Sequence, residues 1–170
     1  MLGRASLLLV PLPFALLALA GCGGNGSHAL PTTTNGRAAT LGVAKTNLGD
    51  VLVDRKGRTL YFFARDSGTR SDCTGACAVN WPPLRVRGNP LVGSGARPSD
   101  VGTTARPDGN SQLTYNGHPL YTYVNDRKPG DANGEGVNAF GGFWFAVSPA
   151  GDKVAPRSQP KGGGGYGGGY

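Results

Sequence analysis

Two cysteines, Cys73 and Cys77, have side chains that could form a disulfide, act as a redox pair or bind a metal. They stand four residues apart in Cys73-Thr74-Gly75-Ala76-Cys77. On a helical turn this separation brings the Cα atoms within disulfide range, and closing so small a loop would contribute on the order of 2 kcal/mol. A redox pair or a thiolate metal site is the alternative, but the spacing is not CxxC or CxxCH, and no second cluster completes a zinc set. The spacing favours a structural disulfide.

A tyrosine, a second aromatic residue and an aspartate recur at one spacing. The copies are Tyr61-x-Phe63-x-x-Asp66 and Tyr121-x-Tyr123-x-x-Asp126. Successive side chains of a strand point to opposite faces, so the two aromatic residues of each copy share a face. The favoured interpretation is that the aromatic residues fill a core while the aspartates cap turns. The alternative is that these six side chains, as candidates, form a binding surface.

Two further patterns suggest a metal site and a hydrolase, and neither is complete. The run Asp131-Ala132-Asn133-Gly134-Glu135-Gly136 resembles the opening of an EF-hand loop, but the twelfth position is Gly142, where calcium needs a bidentate glutamate. A polar loop is therefore favoured, and no metal or cofactor is expected. His118 aligns with Arg58 of the other copy, which favours an exposed turn residue over a general base. We assign no catalytic residue and expect a protein that is not an enzyme.

Each aromatic pair must be positioned by the second strand of a β-hairpin. The two copies align without a gap from Asp54 to Asp66 and from Thr114 to Asp126. Lys56-Gly57 and Asn116-Gly117 stand where a two-residue turn belongs, because glycine accepts the positive φ that such turns need. The β-prone runs on either side of these turns are Val51–Val53 and Thr59–Ala64 in the first copy, and Gln112–Tyr115 and Pro119–Val124 in the second.

A tryptophan segment follows each hairpin. In Trp81-Pro82-Pro83-Leu84 the prolines exclude a helix interior and a central strand, and we expect Trp81 to pack on the aromatic residues of the first hairpin. The second segment, from Phe140 to Val147, is typical of a strand. Residues Gly88 to Asp108 are polar and rich in turn residues, which predicts a connector between two halves.

These elements predict a mostly β fold made of two tandem homologous halves, whose antiparallel hairpins form one compact domain. Thirty glycines and thirteen prolines, with no sustained helical apolar period, agree with many turns and little helix. The domain is expected at residues 41–155, with repeat 1 at about 48–87 and repeat 2 at about 108–152. Flexible segments are expected on both sides of it, a tether at 22–40 and a Gly/Tyr-rich disordered tail at 156–170.

Residues 1–21 are typical of an export leader. Arg4 is followed by an uncharged apolar run that is too short for a comfortable membrane span. The run ends in Leu19-Ala20-Gly21-Cys22, which resembles the lipobox of bacterial lipoproteins. In that class the cysteine carries a diacylglyceryl group on its sulfur and becomes the N-terminal residue of the mature protein. The resemblance implies that Cys22 is acylated and anchors the protein to the outer face of the cell membrane.

The net charge narrows the class of partner. It is +7, and it falls to +6 when Arg4 leaves with the leader. Such an excess attracts anionic headgroups or acidic wall polymers, whereas an exported protein rarely meets nucleic acid. The basic residues are scattered, however, so we interpret the charge first as solvation and only second as adhesion to a surface. We expect the membrane as one partner through the anchor at Cys22, a cell-wall polymer or an envelope protein as another, and no nucleic acid.

The doubled motif resembles the secreted-repeat lipoprotein family. The resemblance covers about residues 48 to 152 and includes Cys73 to Cys77 leading into Trp81-Pro82-Pro83-Leu84. It also includes Asp131-Ala132-Asn133-Gly134 leading to Phe143-Trp144-Phe145. It implies an exported bacterial protein, often lipid-anchored, whose biochemical role is undefined, and it brings no catalytic residues. The leading interpretation is a non-catalytic binding or envelope-organising module. The alternatives are a redox or thiol protein using Cys73 and Cys77, or an aromatic relay, and more weakly a hydrolase using His118.

Overall fold

The computed structural model describes residues 30–33 and 40–154, and strands dominate it. The pairing between named strands is antiparallel throughout, so the expectation of a mostly β fold built from antiparallel hairpins is confirmed. The elements in chain order are β1 (Leu41–Thr46), β2 (Gly49–Asp54), β3 (Tyr61–Phe63), α1 (Ala76–Asn80), a 3-10 turn (Pro98–Asp100), β4 (Val101–Ala105), β5 (Ser111–Tyr115), β6 (His118–Pro119), β7 (Asn138–Ala139) and β8 (Gly142–Ala146).

The two halves exchange their tryptophan segments. The strands form three small sheets, β1-β2, β3-β8-β7 and β4-β5-β6. In the second sheet, β3 of the first half pairs with β8 of the second half. The exchange is mutual, because Tyr121 of the second half forms an antiparallel bridge with Pro83 of the first. The halves are therefore interleaved rather than placed side by side.

Matching contacts relate the halves by an approximate twofold rotation. The Leu113 N–H donates to the Leu84 carbonyl, and the Leu52 N–H donates to the Val147 carbonyl, each over 2.8 Å. Tyr61 and Tyr121 sit where the halves meet and exchange both of their backbone hydrogen bonds, each 2.9 Å long. A reciprocal pair of this kind is what a twofold axis between two antiparallel strands produces.

Successive side chains of β3 point into two different cores, and so do those of the equivalent segment around Tyr121 in the second half. One core is aromatic and holds Tyr61, Phe63, Trp81, Tyr121 and Trp144 together with Cys73 and Cys77. The other is mainly leucine and holds Leu41, Leu52, Leu60, Leu113, Tyr115, Leu120 and Val147. Leu60 and Tyr61 are neighbours in the chain and enter different cores because successive side chains of an extended chain point to opposite sides.

The hairpin turns differ in length, which corrects the gapless alignment. The second turn is the expected two-residue turn, with Asn116 and Gly117 at φ of 48° and 79° between the paired residues Tyr115 and His118. The first turn has three residues, Arg55 to Gly57, because the N–H of Asp54 bonds the carbonyl of Arg58. Upstream of the turns the two copies are therefore one residue out of step.

Three strands were missed from the sequence, namely β1, β4 and the two-residue β7. The predicted connector contains β4, which pairs with β5 along its whole length. Similarly, β1 is the main partner of β2, whereas the predicted partner Thr59–Ala64 meets β2 only at the bridge between Val53 and Thr59. The sequence of β4 is Val-Gly-Thr-Thr-Ala, in which apolar and polar residues do not alternate. None of these side chains is fully buried, so the strand needs no apolar face. Such an edge strand is held by backbone bonds that periodicity does not report.

Several predicted segments lie outside the described residues. These are the leader, Cys22, the tail from residue 156 onward and most of the tether. Residues 30–33, within the predicted tether, lie against the domain, because Pro31 is buried and the Ser94 N–H donates to the Thr32 carbonyl over 2.9 Å. The flexible tether is thus not observed at these four positions.

Candidate functional site

The six predicted binding residues do not form an exposed surface. Tyr61 and Tyr121 have no exposed area, and Phe63 is 3 % exposed. Asp126 is also buried, and only Asp66 and Tyr123 are half-buried. The reason is the interleaving, because the face shared by the aromatic residues of one half is covered by the other half. Their burial agrees with the favoured interpretation that these aromatic residues fill a core.

The repeated motif instead joins the halves through two reciprocal hydrogen bonds. The Tyr61 hydroxyl donates to Asp126 Oδ2 over 2.7 Å, and the Tyr121 hydroxyl donates to Asp66 Oδ2 over 2.7 Å. Each tyrosine therefore bonds the aspartate of the other copy. We call these two contacts the cross-repeat bonds. Each copy thus supplies one tyrosine and one aspartate to the pair of bonds.

Each aspartate of a cross-repeat bond also holds the loop that follows it. Asp66 Oδ1 accepts the Asp72 N–H over 2.8 Å, and Asp126 Oδ1 accepts the Asn133 N–H over 2.9 Å. Burial raises the pKa of Asp66 to about 6 and raises the pKa of Asp126 as well. Burial, together with the neighbouring carboxylate, also raises the pKa of the Tyr61 hydroxyl, which keeps it a hydrogen-bond donor.

A buried arginine that the sequence did not single out extends this polar network. Arg106 is 6 % exposed, and its guanidinium donates to Ser71 Oγ over 2.7 Å, to Gln112 Oε1 over 2.6 Å and to the Cys73 carbonyl over 2.7 Å. Arg106 lies directly after β4, so recognising β4 would have placed it beside the sheet. It connects the cysteine loop to β5.

Cys73 and Cys77 form a disulfide bond, with Cα atoms 5.3 Å apart, which confirms the expected pairing. Cys73 has no exposed area and Cys77 is 6 % exposed, and both belong to the aromatic core. The Trp81 N–H donates to the Cys77 carbonyl over 2.8 Å at the end of α1. The disulfide therefore shapes the turn that delivers Trp81 to the core.

Four aromatic rings are stacked at the centre of the domain. Trp81 and Trp144 lie face to face, with centroids 3.9 Å apart and planes 4° apart. Phe63 stacks on the outer face of Trp144 at 4.2 Å, and Tyr123 stacks on the outer face of Trp81 at 4.1 Å. The Trp81 contact with Tyr61, at 5.5 Å, is the one expected from the sequence. We call the four rings the ring stack, and it joins the two halves where they interleave.

The EF-hand-like run holds backbone segments rather than a shared centre. Asp131 Oδ2 accepts two backbone N–H groups of the turn before it, at 3.0 and 3.2 Å. Asn133 bonds Asp126, and Glu135 Oε2 accepts the Ala146 N–H over 2.6 Å. Across residues 30–33 and 40–154, no three His, Cys, Asp or Glu side chains come together as a possible metal site.

Gly134 of the same run allows close contact with the aromatic core. A Cβ atom at this position would come within 2.8 Å of both the Tyr61 and the Trp81 rings. Its N–H donates to the Tyr61 hydroxyl over 3.2 Å. The glycine at position 134 is thus explained by packing, because a larger residue there would push the loop away from Tyr61.

A second set of aromatic rings, which the sequence did not group together, lies on the opposite side of β3 and β8 and is partly exposed to solvent. Phe62 stacks on His118 at 4.6 Å and contacts Phe145 at 5.6 Å, and Phe145 contacts Phe143 at 6.1 Å. Phe143 is 48 % exposed and the other three are half-buried. We call this row the aromatic strip. Lys153 Nζ lies 5.4 Å from the Phe145 centroid, so the strip has a cation beside it.

The comparisons with known proteins agree with the doubled architecture. A family model described as a secreted repeat of unknown function matches residues 42–85 and again residues 102–148. No curated protein and no solved structure matches the chain. Among the helices of the described residues, none has the length and apolarity to cross a membrane.

Proposed function

Because the chain belongs to this family of secreted repeats, which places it outside the cytoplasm, we propose that it is a lipid-anchored, non-catalytic module that binds an envelope glycan. The observation that carries the binding role is the solvent-facing aromatic strip of His118, Phe62, Phe145 and Phe143. The anchor and the binding surface are separate parts of the proposal and are tested separately.

The anchor rests on the sequence before the domain. Cys22 follows Leu19-Ala20-Gly21 at the end of the apolar run, and the described domain begins within ten residues of it, at Leu30. A thioether-linked diacylglycerol together with an N-terminal acyl chain provides more apolar length than a single myristoyl group, which binds membranes only marginally. The intact mass of the protein purified from membranes should match a triacylated or diacylated chain that begins at Cys22. A chain that begins elsewhere would exclude the anchor.

The aromatic strip is suited to the apolar face of a sugar ring. The face of an aromatic ring carries partial negative charge, and the axial C–H groups of a sugar carry partial positive charge, so the two stack. A row of rings on a strand pair offers this contact repeatedly along one direction, which fits a polymer. Contiguous aromatic surface is uncommon on a soluble domain unless something binds there.

Phe140 adds a conformational argument for a contact role at this edge. It occupies the turn before β8 at a φ of 56°, in the left-handed region, and it is 42 % exposed. A bulky residue there costs about 1–2 kcal/mol relative to glycine or asparagine. Its side chain remains partly exposed, so core packing offsets only part of that cost. This supports a contact role for the Phe140 ring.

Burial supports a structural disulfide over the redox alternative. A thiol exchange partner must reach a sulfur atom, and both cysteines lie within the aromatic core. The hydrolase alternative also loses support, because no side-chain hydrogen bond within the described residues joins His118 to a carboxylate that would orient it as a base. The carboxylates of Asp66 and Asp126 are engaged in the cross-repeat bonds.

The binding role predicts that Phe143→Ala weakens co-sedimentation with purified peptidoglycan sacculi stripped of anionic polymers. We expect about a tenfold loss of affinity, because stacking on one well-placed ring contributes about 1–1.5 kcal/mol. Phe143→Trp should retain binding. Val79→Ala is the matched control, since Val79 is an exposed apolar residue on α1. Equal recovery of the Phe143→Ala and Val79→Ala proteins would refute the aromatic strip as the binding surface.

A further inference from the structure

A basic cleft opens between the first hairpin turn and the segment after Trp81. Its volume is about 430 Å³. Two walls carry the charge, one from the turn and one from the Pro83–Arg87 segment. The basic side chains that line it are Arg55, Lys56, Arg58, Arg85 and Arg87.

The positive charge of the cleft exceeds what the protein itself neutralises. Arg58 pairs with Asp54 at 2.6 Å, and Arg85 pairs with Asp108 at 2.9 Å. Five cations less these two carboxylates leave a charge of +3. The remaining three cations, Arg55, Lys56 and Arg87, form no ion pair with the described residues.

Asp54 holds the turn that presents two of these cations. It is 2 % exposed, and its Oδ1 accepts the backbone N–H groups of Lys56 and Arg58 at 2.9 and 3.0 Å. Its Oδ2 accepts Arg58 Nε at 2.9 Å and Nη2 at 2.6 Å. The carboxylate therefore orders the three-residue loop and fixes the Arg58 guanidinium before any ligand arrives. This lowers the conformational entropy lost on binding.

The other half of the protein shows that the fold does not require these charges. By the twofold relation, the place of Asp54 is taken by Tyr115, and the places of Arg85 and Arg87 are taken by Ser148 and Ala150. There the Tyr115 hydroxyl donates to the Pro149 carbonyl over 2.9 Å and bridges the turn to the segment. A corresponding hairpin, with a turn one residue shorter, is thus held against its segment without a basic cluster, so the cations of the first half are not required for this packing.

We propose that the basic cleft binds the phosphate groups of an extracytoplasmic phosphodiester polymer. Guanidinium groups form paired, charge-assisted hydrogen bonds with phosphate oxygens, and four of the five cations are arginines. A tetrahedral phosphate accepts bonds from several directions, which suits cations on two walls, whereas one guanidinium fork satisfies a planar carboxylate. A concave site also fits a polymer chain better than it fits the flat surface of a bilayer. The proposal does not depend on the aromatic strip or on its ligand.

The test uses the full chain carrying Cys22→Ser, so that no acyl group contributes to binding. The probe is poly(glycerol phosphate) of defined length, titrated calorimetrically at physiological ionic strength. Arg55→Gln/Lys56→Gln should raise the Kd about tenfold, because two unpaired cations are lost from the cleft. Arg127→Gln/Lys128→Gln is the charge-matched control, since this exposed arginine and lysine do not line the cleft, although Pro129 beside them packs against Gly57 of the same turn. It should change the Kd by less than about twofold, as expected for diffuse charge at this ionic strength.

Further measurements distinguish binding in the cleft from binding by diffuse charge, by lipid headgroups or by carboxylates. Thermal unfolding of both double variants should match that of the parent, because neither pair makes a side-chain bond within the described residues. Phe143→Ala should leave polymer binding unchanged, which keeps this test apart from that of the glycan surface. Equal weakening by the two double variants would overturn the proposal in favour of diffuse charge. It would also fall if the cleft variant weakened binding to phosphatidylglycerol vesicles but not to the polymer, or if polygalacturonate bound the cleft as tightly as the polymer does.

Discussion

Replacing Trp144 with alanine should lower the free energy of unfolding by about 3–5 kcal/mol, as for other large aromatic residues removed from a core. The Trp144 side chain has no exposed area, and its ring is covered by Trp81 on one face and by Phe63 on the other. Its indole Nε1 also donates to the Ala139 carbonyl over 3.3 Å. Because the two stacking partners belong to the other half, the variant loses packing at the centre of the interleaved fold.

Urea denaturation followed by fluorescence of the remaining tryptophan measures this loss. Trp144→Phe keeps one stacked ring and should recover a large part of it. The neighbouring Phe143→Ala should change stability by less than about 1 kcal/mol, since that side chain is largely exposed. A loss below about 1 kcal/mol for Trp144→Ala would mean that the ring stack does not hold the halves together.

Replacing Asp126 with alanine should lower the free energy of unfolding by about 1–3 kcal/mol, because it leaves the buried Tyr61 hydroxyl without its acceptor. The Tyr61 hydroxyl loses its acceptor at 2.7 Å, and the Asn133 backbone N–H loses its acceptor at 2.9 Å. The Tyr61 hydroxyl lies where water has little access, whereas the Asn133 N–H is only part-buried, and the two donors belong to different halves. The effect is therefore larger than that of an exposed aspartate that caps a turn.

Two controls distinguish hydrogen bonding from charge in the cross-repeat bond. Asp126→Asn retains an acceptor oxygen and should be much less destabilising than the alanine variant, because burial already raises the pKa of Asp126 and disfavours its charge. A double-mutant cycle with Tyr61→Phe should give a coupling energy of about 1–3 kcal/mol. A coupling near zero, measured by denaturation of the four proteins, would show that tyrosine and aspartate are independent and that the motif does not join the copies.

The repeat motif illustrates what could be read from the chain and what could not. The spacing of Tyr61 and Asp66 shows that a unit is repeated, and family membership follows from it. The pairing of Tyr61 with Asp126 does not follow, because partners 65 residues apart in sequence are chosen by the docking of the halves. Sequence identity between the copies makes the local pairing and the exchanged pairing equally plausible before the structure is known.

Turn length is a local feature that a gapless comparison nevertheless hides. Asn116-Gly117 has the side chains of a two-residue turn, and it forms one. In the first copy the buried Asp54 carboxylate accepts N–H groups from within the turn, and this stabilises a loop with one additional residue. Asp54 could have been suspected, because aspartate commonly bonds the backbone two residues later. Its burial and its pairing with Arg58 depend on the surrounding fold.

The sequence by itself determined the class of fold, the family and the disulfide, because these follow from composition, repeated motifs and short spacing. It also determined that Tyr61 and Phe63 lie opposite Leu60 and Phe62. Only the tertiary structure decided which aromatic rings are buried and which face solvent. The physical reason is that both faces of this strand are apolar. The alternation of side chains therefore shows that the faces differ but does not show which face is buried more deeply. The exchange of tryptophan segments covers Tyr61 and Phe63 and leaves Phe62 beside the half-buried Phe145 and the exposed Phe143.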